Sequence, residues 1–201
     1  VIDQQKMLLN QLGVSFDCWF SEKSLYQDHQ IEGVLDRLKA KGVIEEKDDA
    51  TWFKTTLYGD DKDRVLIKSD GTYTYFLVDI AYHYSKLQRG FTSLINILGA
   101  DHHGYVKRLE AAVQSMSDDA QIDVVIGQLV SLYRSGSLVK MSKRTGEMVT
   151  LEEVMVEIGV DAVRYFLIQK SADSHIDFDL DLAKKQNNEN PVYYIQYAHA
   201  R

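Results

Sequence analysis

Ser93-Leu94-Ile95-Asn96-Ile97-Leu98-Gly99-Ala100-Asp101-His102-His103-Gly104 is the stretch that decides the fold. Its first six residues are a short apolar run that stops at Gly99, which reads as a buried β-strand. Before it, Tyr75 to Arg89 reads as a helix closed by Gly90. After it, Tyr105 to Met116 has the spacing of an amphipathic helix, and Ile122 to Leu132 contains a second apolar strand. Strand, helix and strand with short connections predict an α/β fold, a parallel sheet covered by helices. In such sheets ligands sit beyond the carboxyl ends of the strands, so the polar residues after Leu98 are the first place to look for a site.

Outward from this centre, Gln30 to Lys41 has helical spacing and Gly42 as its end. Val14 to Phe20 alternates like a strand. Trp52 to Tyr58 and Arg64 to Lys68 flank Gly59-Asp60-Asp61-Lys62 and read as a hairpin or meander, with Ser69-Asp70-Gly71 as a turn. Leu151 to Ile158 and Asp161 to Gln169 are predicted helices separated by Gly159. A helical segment follows Asp177-Phe178-Asp179-Leu180-Asp181. Asn190 before Pro191 is a helix-start signal, an N-cap with proline at the first position.

The chain has 201 residues, 45% apolar and 26% charged, which is globular composition. Mean hydropathy is −0.28. No run approaches the ~20 apolar residues of a membrane-spanning helix. Cys18 is the single cysteine, so an internal disulfide and a zinc site of paired cysteines are excluded. Val1 to Asn10 resembles neither a signal nor a transit peptide, and a cytoplasmic location is expected. Net charge is −7, which by itself leans away from a protein that coats nucleic acid.

Three constellations carry chemistry. Lys140-Met141-Ser142-Lys143 with Arg144-Thr145-Gly146 sets three cations beside a glycine at the exit of a predicted strand. Flexible ammonium groups there can follow phosphate charge during phosphoryl or adenylyl transfer. A solvated basic loop has the same composition, but the position before a Thr150-capped helix favours phosphate. Tyr75, Asp79 and His83 are four apart and share one helix face. A carboxylate beside an aromatic ring suits a guanidinium, although a surface aspartate with half-buried aromatics fits the same spacing. Third, Gly99 permits close approach of a ligand to the backbone, and Asp101 can accept from ribose hydroxyls. The triplet Asp101-His102-His103 also resembles the signature of a manganese-using phosphoesterase family. Adjacent side chains rarely aim at one ion, so no metal site is expected there.

Together these segments resemble class I aminoacyl-tRNA synthetases, specifically the bacterial-type arginyl-tRNA synthetase family. The resemblance rests on Trp52-Phe53, Gly59 to Leu66, Ser69 to Thr72, Tyr75-Phe76 with Asp79 to His83, Gly99 to Val106, Lys140 to Gly146, Asp177 to Ala183 and Asn188 to Tyr194. It implies the second half of a Rossmann-like catalytic domain with an inserted hairpin over 1–150. It further implies a helical stem-contact segment over 151–186 and the start of an anticodon-binding helical domain over 187–201. It implies ATP with Mg²⁺, L-arginine and tRNA(Arg) as partners. Lys140 and Lys143 would be catalytic. Gly99, Asp101, Val139, Met141, Ser142 and Lys143 would bind ATP. Tyr75, Asp79, His83 and His103 would bind arginine. The family's His-Ile-Gly-His signature is missing. The chain is therefore expected to be an inactive portion whose open sheet edges favour a dimer or a swapped assembly. A cysteinyl-type synthetase and a non-catalytic RNA-binding relative are the neighbouring readings. The Tyr75/Asp79 pair and the lack of cysteine ligands favour arginine. A synthetase touches tRNA through local basic patches, so the net charge of −7 does not oppose an RNA partner.

Overall fold

The structure is a computed structural model and describes residues 1–139 and 149–201. The helices are α1 (Ile2–Gln11), α2 (Glu22–Gln27), α3 (Gln30–Ala40), α4 (Tyr75–Gln88), α5 (Val106–Met116), α6 (Leu151–Ile158), α7 (Val160–Ile168), α8 (Leu180–Lys184) and α9 (Pro191–Ala200). The strands are β1 (Ile44–Lys47), β2 (Ala50–Phe53), β3 (Arg64–Ile67), β4 (Ser93–Gly99), β5 (Gln121–Gly127), β6 (Val130–Arg134), β7 (Ser137–Leu138) and β8 (Ile176–Asp179). Two 3₁₀ turns, Thr55–Tyr58 and Ala100–Tyr105, complete the order. The α/β class expected from sequence is present.

The chain forms two compact units. One comprises Trp19–Ile126, and the other Val1–Cys18 with Gly127–Arg201.

In the Trp19–Ile126 unit, β1, β2 and β3 form an antiparallel meander. The 3₁₀ turn Thr55–Tyr58 stands where a longer strand is expected. Thr55 donates to the Lys62 carbonyl at 2.7 Å, and Gly59 takes a left-handed φ of 87° that ends the turn. Arg64 clamps the loop by donating from Nε and Nη2 to Asp60, each bond 2.8 Å. The side chains of Asp60 and Arg64 are 1% and 10% exposed, so this pair is a structural one. It holds the Asp60 carboxyl well below the usual carboxylate range.

α4 is anchored at its start. Thr74 accepts from the Leu77 N–H and donates to the Val65 carbonyl on β3. Leu77, Ile80 and Ala81 are fully buried against Ile31, Val34 and Leu38 of α3 and Phe53 of β2. Each fully buried Leu or Ile side chain contributes about 1.5–3 kcal/mol, and the Ala81 methyl about a third as much. Tyr84 lies under the Arg37 guanidinium, 4.7 Å from its ring centre. Gly90, at φ 90°, ends the helix. β4 and β5 pair in a two-stranded sheet and are joined through α5.

β4 departs from expectation. Leu94 is buried, but Ile95 and Ile97 are 65% and 78% exposed, so one face of this strand is uncovered within the chain. A continuous apolar run suggested burial on both faces, yet the period-2 pleat leaves one face open here.

In the second unit, β6 pairs parallel with β8 and antiparallel with β7. Leu132, Phe166, Phe178 and Leu180 form its core with Val154 and Val163. The apolar run from Ile122 to Leu132 is divided between β5 and β6 rather than being one strand. β8 is unexpected, because its Ile-Asp-Phe-Asp sequence is masked by acidic residues; Ile176 and Phe178 are its buried positions. Val14–Phe20 forms no strand, since no ladder pairs with it. α6 opens on a capping box: Thr150 accepts from the Glu153 N–H, while Glu153 accepts from the Thr150 N–H at 2.7 Å. α9 opens as expected, with buried Asn190 accepting from the Val192 N–H at 3.1 Å and donating to the carbonyls of Ala183 and Lys185.

Candidate functional site

One cleft of about 620 Å³ lies in the Trp19–Ile126 unit, walled by α4, β4 and the 3₁₀ turn Ala100–Tyr105. The helix supplies Tyr75, Asp79, Tyr82, His83 and Lys86, a single face by the 3.6-residue period. β4 supplies Asn96 among Ile95, Ile97 and Leu98, and the turn supplies His102 and Tyr105.

Tyr75 is 85% exposed, so its ring is not engaged in the core. Asp79 is half-buried and accepts from the Tyr105 hydroxyl at 2.6 Å through Oδ2. Burial first, and then the bond to Asp79, push the Tyr105 phenol above its ordinary range, so it keeps its proton and donates. Among the described residues, no hydrogen bond reaches Asp79 Oδ1. A carboxylate with an aromatic ring one turn away and a fixed phenol donor on one oxygen is suited to a cation with directional N–H groups.

His83 lines the same cleft, but both ring nitrogens are engaged. Nδ1 lies 2.7 Å from the Asp79 carbonyl, and Nε2 lies 2.8 Å from the Asn96 amide nitrogen. Lys86 donates to Asn96 Oδ1 at 3.3 Å and sits 4.3 Å from the centre of the Tyr82 ring. Burial lowers the Lys86 pKa, and the nearby Arg89 charge lowers it further.

At the carboxyl end of β4, the structure brings Gly99 and Asp101 together. A Cβ on Gly99 would stand 2.8 Å from Asp101 Oδ1, so the Asp101 carboxylate folds back over Gly99, and a larger residue there would push this exposed side chain aside. The Asp101 side chain is exposed and stands 3.6 Å from His102 Nε2. His103 is exposed and outside the cleft lining, where its neighbour His102 stands instead. In the other unit, the Val139 N–H donates to the Leu132 carbonyl at 2.8 Å. Lys140, Met141, Ser142 and Lys143 lie outside the described residues.

Sequence reasoning does not single out Tyr82, Lys86, Asn96 or Tyr105, and it weighs His102 only as part of the Asp101-His102-His103 triplet, not as a cleft residue. Asn96 carries a usable signal, as the one polar residue inside an apolar strand. Tyr105 carries none, because its role follows from the turn that swings it towards α4.

Among the described residues no group of three or more His, Cys, Asp or Glu side chains could hold a metal ion. Asp179 caps α8, and Asp181 accepts from the Ser135 N–H, so both have structural partners. No helix among the described residues is long and apolar enough to cross a membrane.

The family model of tRNA synthetases class I (R), catalytic domain, matches residues 1–188. The chain is 58% identical over 201 residues to an arginine–tRNA ligase of Geobacillus thermodenitrificans. It is 58% identical over 194 residues to that of Bacillus subtilis. These matches cover 100% and 96% of the chain but 36% and 35% of the relatives, so the chain spans about a third of their length. Among solved structures, an arginyl-tRNA synthetase from Campylobacter jejuni superposes with a TM-score of 0.91 at 39% identity, covering 100% of this chain and 44% of that one. The Thermus thermophilus arginyl-tRNA synthetase shares the fold at 17% identity, with a TM-score of 0.77 over 98% of this chain and 43% of its own. The chain belongs to the class I arginyl-tRNA synthetase catalytic-domain family.

Proposed function

We propose that the cleft of Tyr75, Asp79 and Tyr105 holds the guanidinium of L-arginine, and that the chain is the part of an arginine–tRNA ligase that binds this side chain. The observation that carries it is the Asp79 carboxylate, fixed on one oxygen by Tyr105 and beside the exposed ring of Tyr75. Asp79 accepts guanidinium N–H groups, Tyr75 stacks on its plane, and His103 or its neighbour His102 lies towards the α-amino group. Gly99 and Asp101 take the ATP ribose, the Val139 backbone takes adenine, and Met141 and Ser142 belong to the ATP loop.

In the reaction, the arginine carboxylate attacks the α-phosphate of ATP. The bond to the pyrophosphate leaving group breaks, and Lys140 and Lys143 stabilise the charge that develops. A tRNA(Arg) hydroxyl then takes the arginyl group and AMP leaves. Mg²⁺ is expected to accompany the ATP phosphates in this reading. The segments 1–150, 151–186 and 187–201 are catalytic, stem-contact and anticodon-domain parts in this reading, and the cytoplasm is the compartment. The uncovered Ile95 and Ile97 on β4 support pairing between copies.

ATP–pyrophosphate exchange with arginine and tRNA tests the assignment. The 201-residue chain alone is expected to show no turnover, and clear turnover overturns that expectation. In the full-length ligase, Lys143→Ala should depress adenylate formation far more than arginine binding; equal losses contradict the phosphate role.

A further inference from the structure

We infer that His83 is not a substrate contact but a positioning residue, held as a neutral imidazole with its proton on Nδ1, which latches the Asp79 turn of α4 to Asn96 of β4. This rests on reading the cleft as the guanidinium site.

The direction of every hydrogen bond in the latch follows from its two ends. The Asp79 carbonyl can only accept, so Nδ1 of His83 carries the proton. At the far end the Lys86 ammonium can only donate, so the atom of Asn96 that faces it is Oδ1. The Asn96 amide nitrogen therefore faces Nε2 of His83 and donates to its lone pair at 2.8 Å. The chain runs one way, from Lys86 through Asn96 and His83 to the Asp79 backbone. A proton on Nε2 would face the Asn96 NH₂ donor against donor. Turning the Asn96 amide over would only move the conflict to Lys86.

The surroundings agree. His83 is 2% exposed, and its pKa is lowered by burial first and also by the Lys86 charge. From its own helix it faces Asp79, Tyr82 and Lys86. From β4 it faces Asn96, and from the 3₁₀ turn His102 and Tyr105 share the cleft. The latch thus keeps the cleft floor free of a further positive charge near a cationic ligand. It also fixes the turn bearing Asp79 to the strand that ends at Gly99 and Asp101. Protonation of His83 opens the latch and adds repulsion, so arginine affinity falls as pH drops through its titration.

Long-range ¹H–¹⁵N correlation NMR on the 201-residue chain tests this. The expected result is a His83 ring protonated at Nδ1 at pH 7.5 that titrates below the ordinary ~6.5. Asn96→Asp, a near-isosteric change, replaces the donor with an acceptor for both Lys86 and Nε2–H. It should raise the His83 titration by about one unit or more. An Nε2–H tautomer, or a titration unmoved by Asn96→Asp, overturns the latch. Arginine titrations followed at the Asp79 and Tyr105 amides should show affinity weakening several-fold from pH 7.5 to 5.5. His83→Gln, which keeps an acceptor for Asn96, should abolish that pH dependence. Affinity that stays constant while His83 titrates overturns the positioning role. The predicted tautomer with no arginine response at pH 7.5 defeats the guanidinium reading of the cleft instead.

Discussion

The Tyr105 hydroxyl donates to Asp79 Oδ2 across 2.6 Å, tying the turn that follows β4 to the helix that precedes it. The bond holds the carboxylate of the candidate site in one orientation before any ligand arrives. Tyr105→Phe keeps the ring packed edge-on against Phe76 and removes only this bond. A hydrogen bond to a charged group contributes roughly 1.5–3 kcal/mol, less where solvent reaches it. The variant should lose about 1 kcal/mol in urea unfolding and bind arginine several-fold more weakly. Unchanged arginine affinity would mean that Asp79 needs no such partner.

The Asp60–Arg64 pair should behave differently, since it lies outside the cleft. Asp60→Ala leaves a guanidinium that is 10% exposed with only the exposed Asp61 to pair it. Breaking a buried ion pair from one side costs about 3–5 kcal/mol. Because the folded Asp60 pKa lies below its unfolded value, the pair's stabilisation is full above the ordinary carboxylate pKa of ~3.9 and is lost as pH falls below it. Unfolding curves from pH 5 to 2 should show this loss in the wild type and a shallower one in Asp60→Ala.

His83 contributes with the opposite chemistry and a similar slope. Its folded pKa is lowered, so the folded state favours the neutral ring. Stability is full above the unfolded pKa of ~6.5 and declines as pH falls from there towards the folded value. Thermal melts between pH 7.5 and 5 should lose stability in the wild type, and His83→Gln should remove that part of the slope.

Asn190 is buried and makes three bonds, one accepted from the first turn of α9 and two donated to the end of α8. Asn190→Ala should cost about 2–3 kcal/mol by urea unfolding, beyond the ~1 kcal/mol of an ordinary cap. Thr150→Ala, which removes the exposed capping box of α6, should cost only about 1 kcal/mol. Equal losses would contradict the added role given to Asn190.

Much of this was legible in the sequence. The 3.6-residue spacing of Tyr75, Asp79 and His83 placed them on one face, and Asn190-Pro191 marked the start of α9. The burial of Ser93–Leu98 was misread, because an apolar run reports what a strand could bury and not whether anything covers it. β8 was missed, because Asp177 and Asp179 hide two core positions among acids. The partners of His83 and Asp79 were not legible at all. They come from β4 and from a 3₁₀ turn, and only the folded backbone brings Asn96 and Tyr105 to α4.

The central claim is that the Asp79 cleft recognises a guanidinium. The direct measurement is an NMR titration of the 201-residue chain with L-arginine and with L-citrulline, which replaces the guanidinium with a neutral group of nearly the same shape. The account predicts that arginine shifts the amides of Tyr75, Asp79 and Tyr105, that citrulline binds at least about tenfold more weakly, and that Asp79→Asn removes the difference. Equal responses to the two ligands, or arginine shifts confined to other residues, would contradict it.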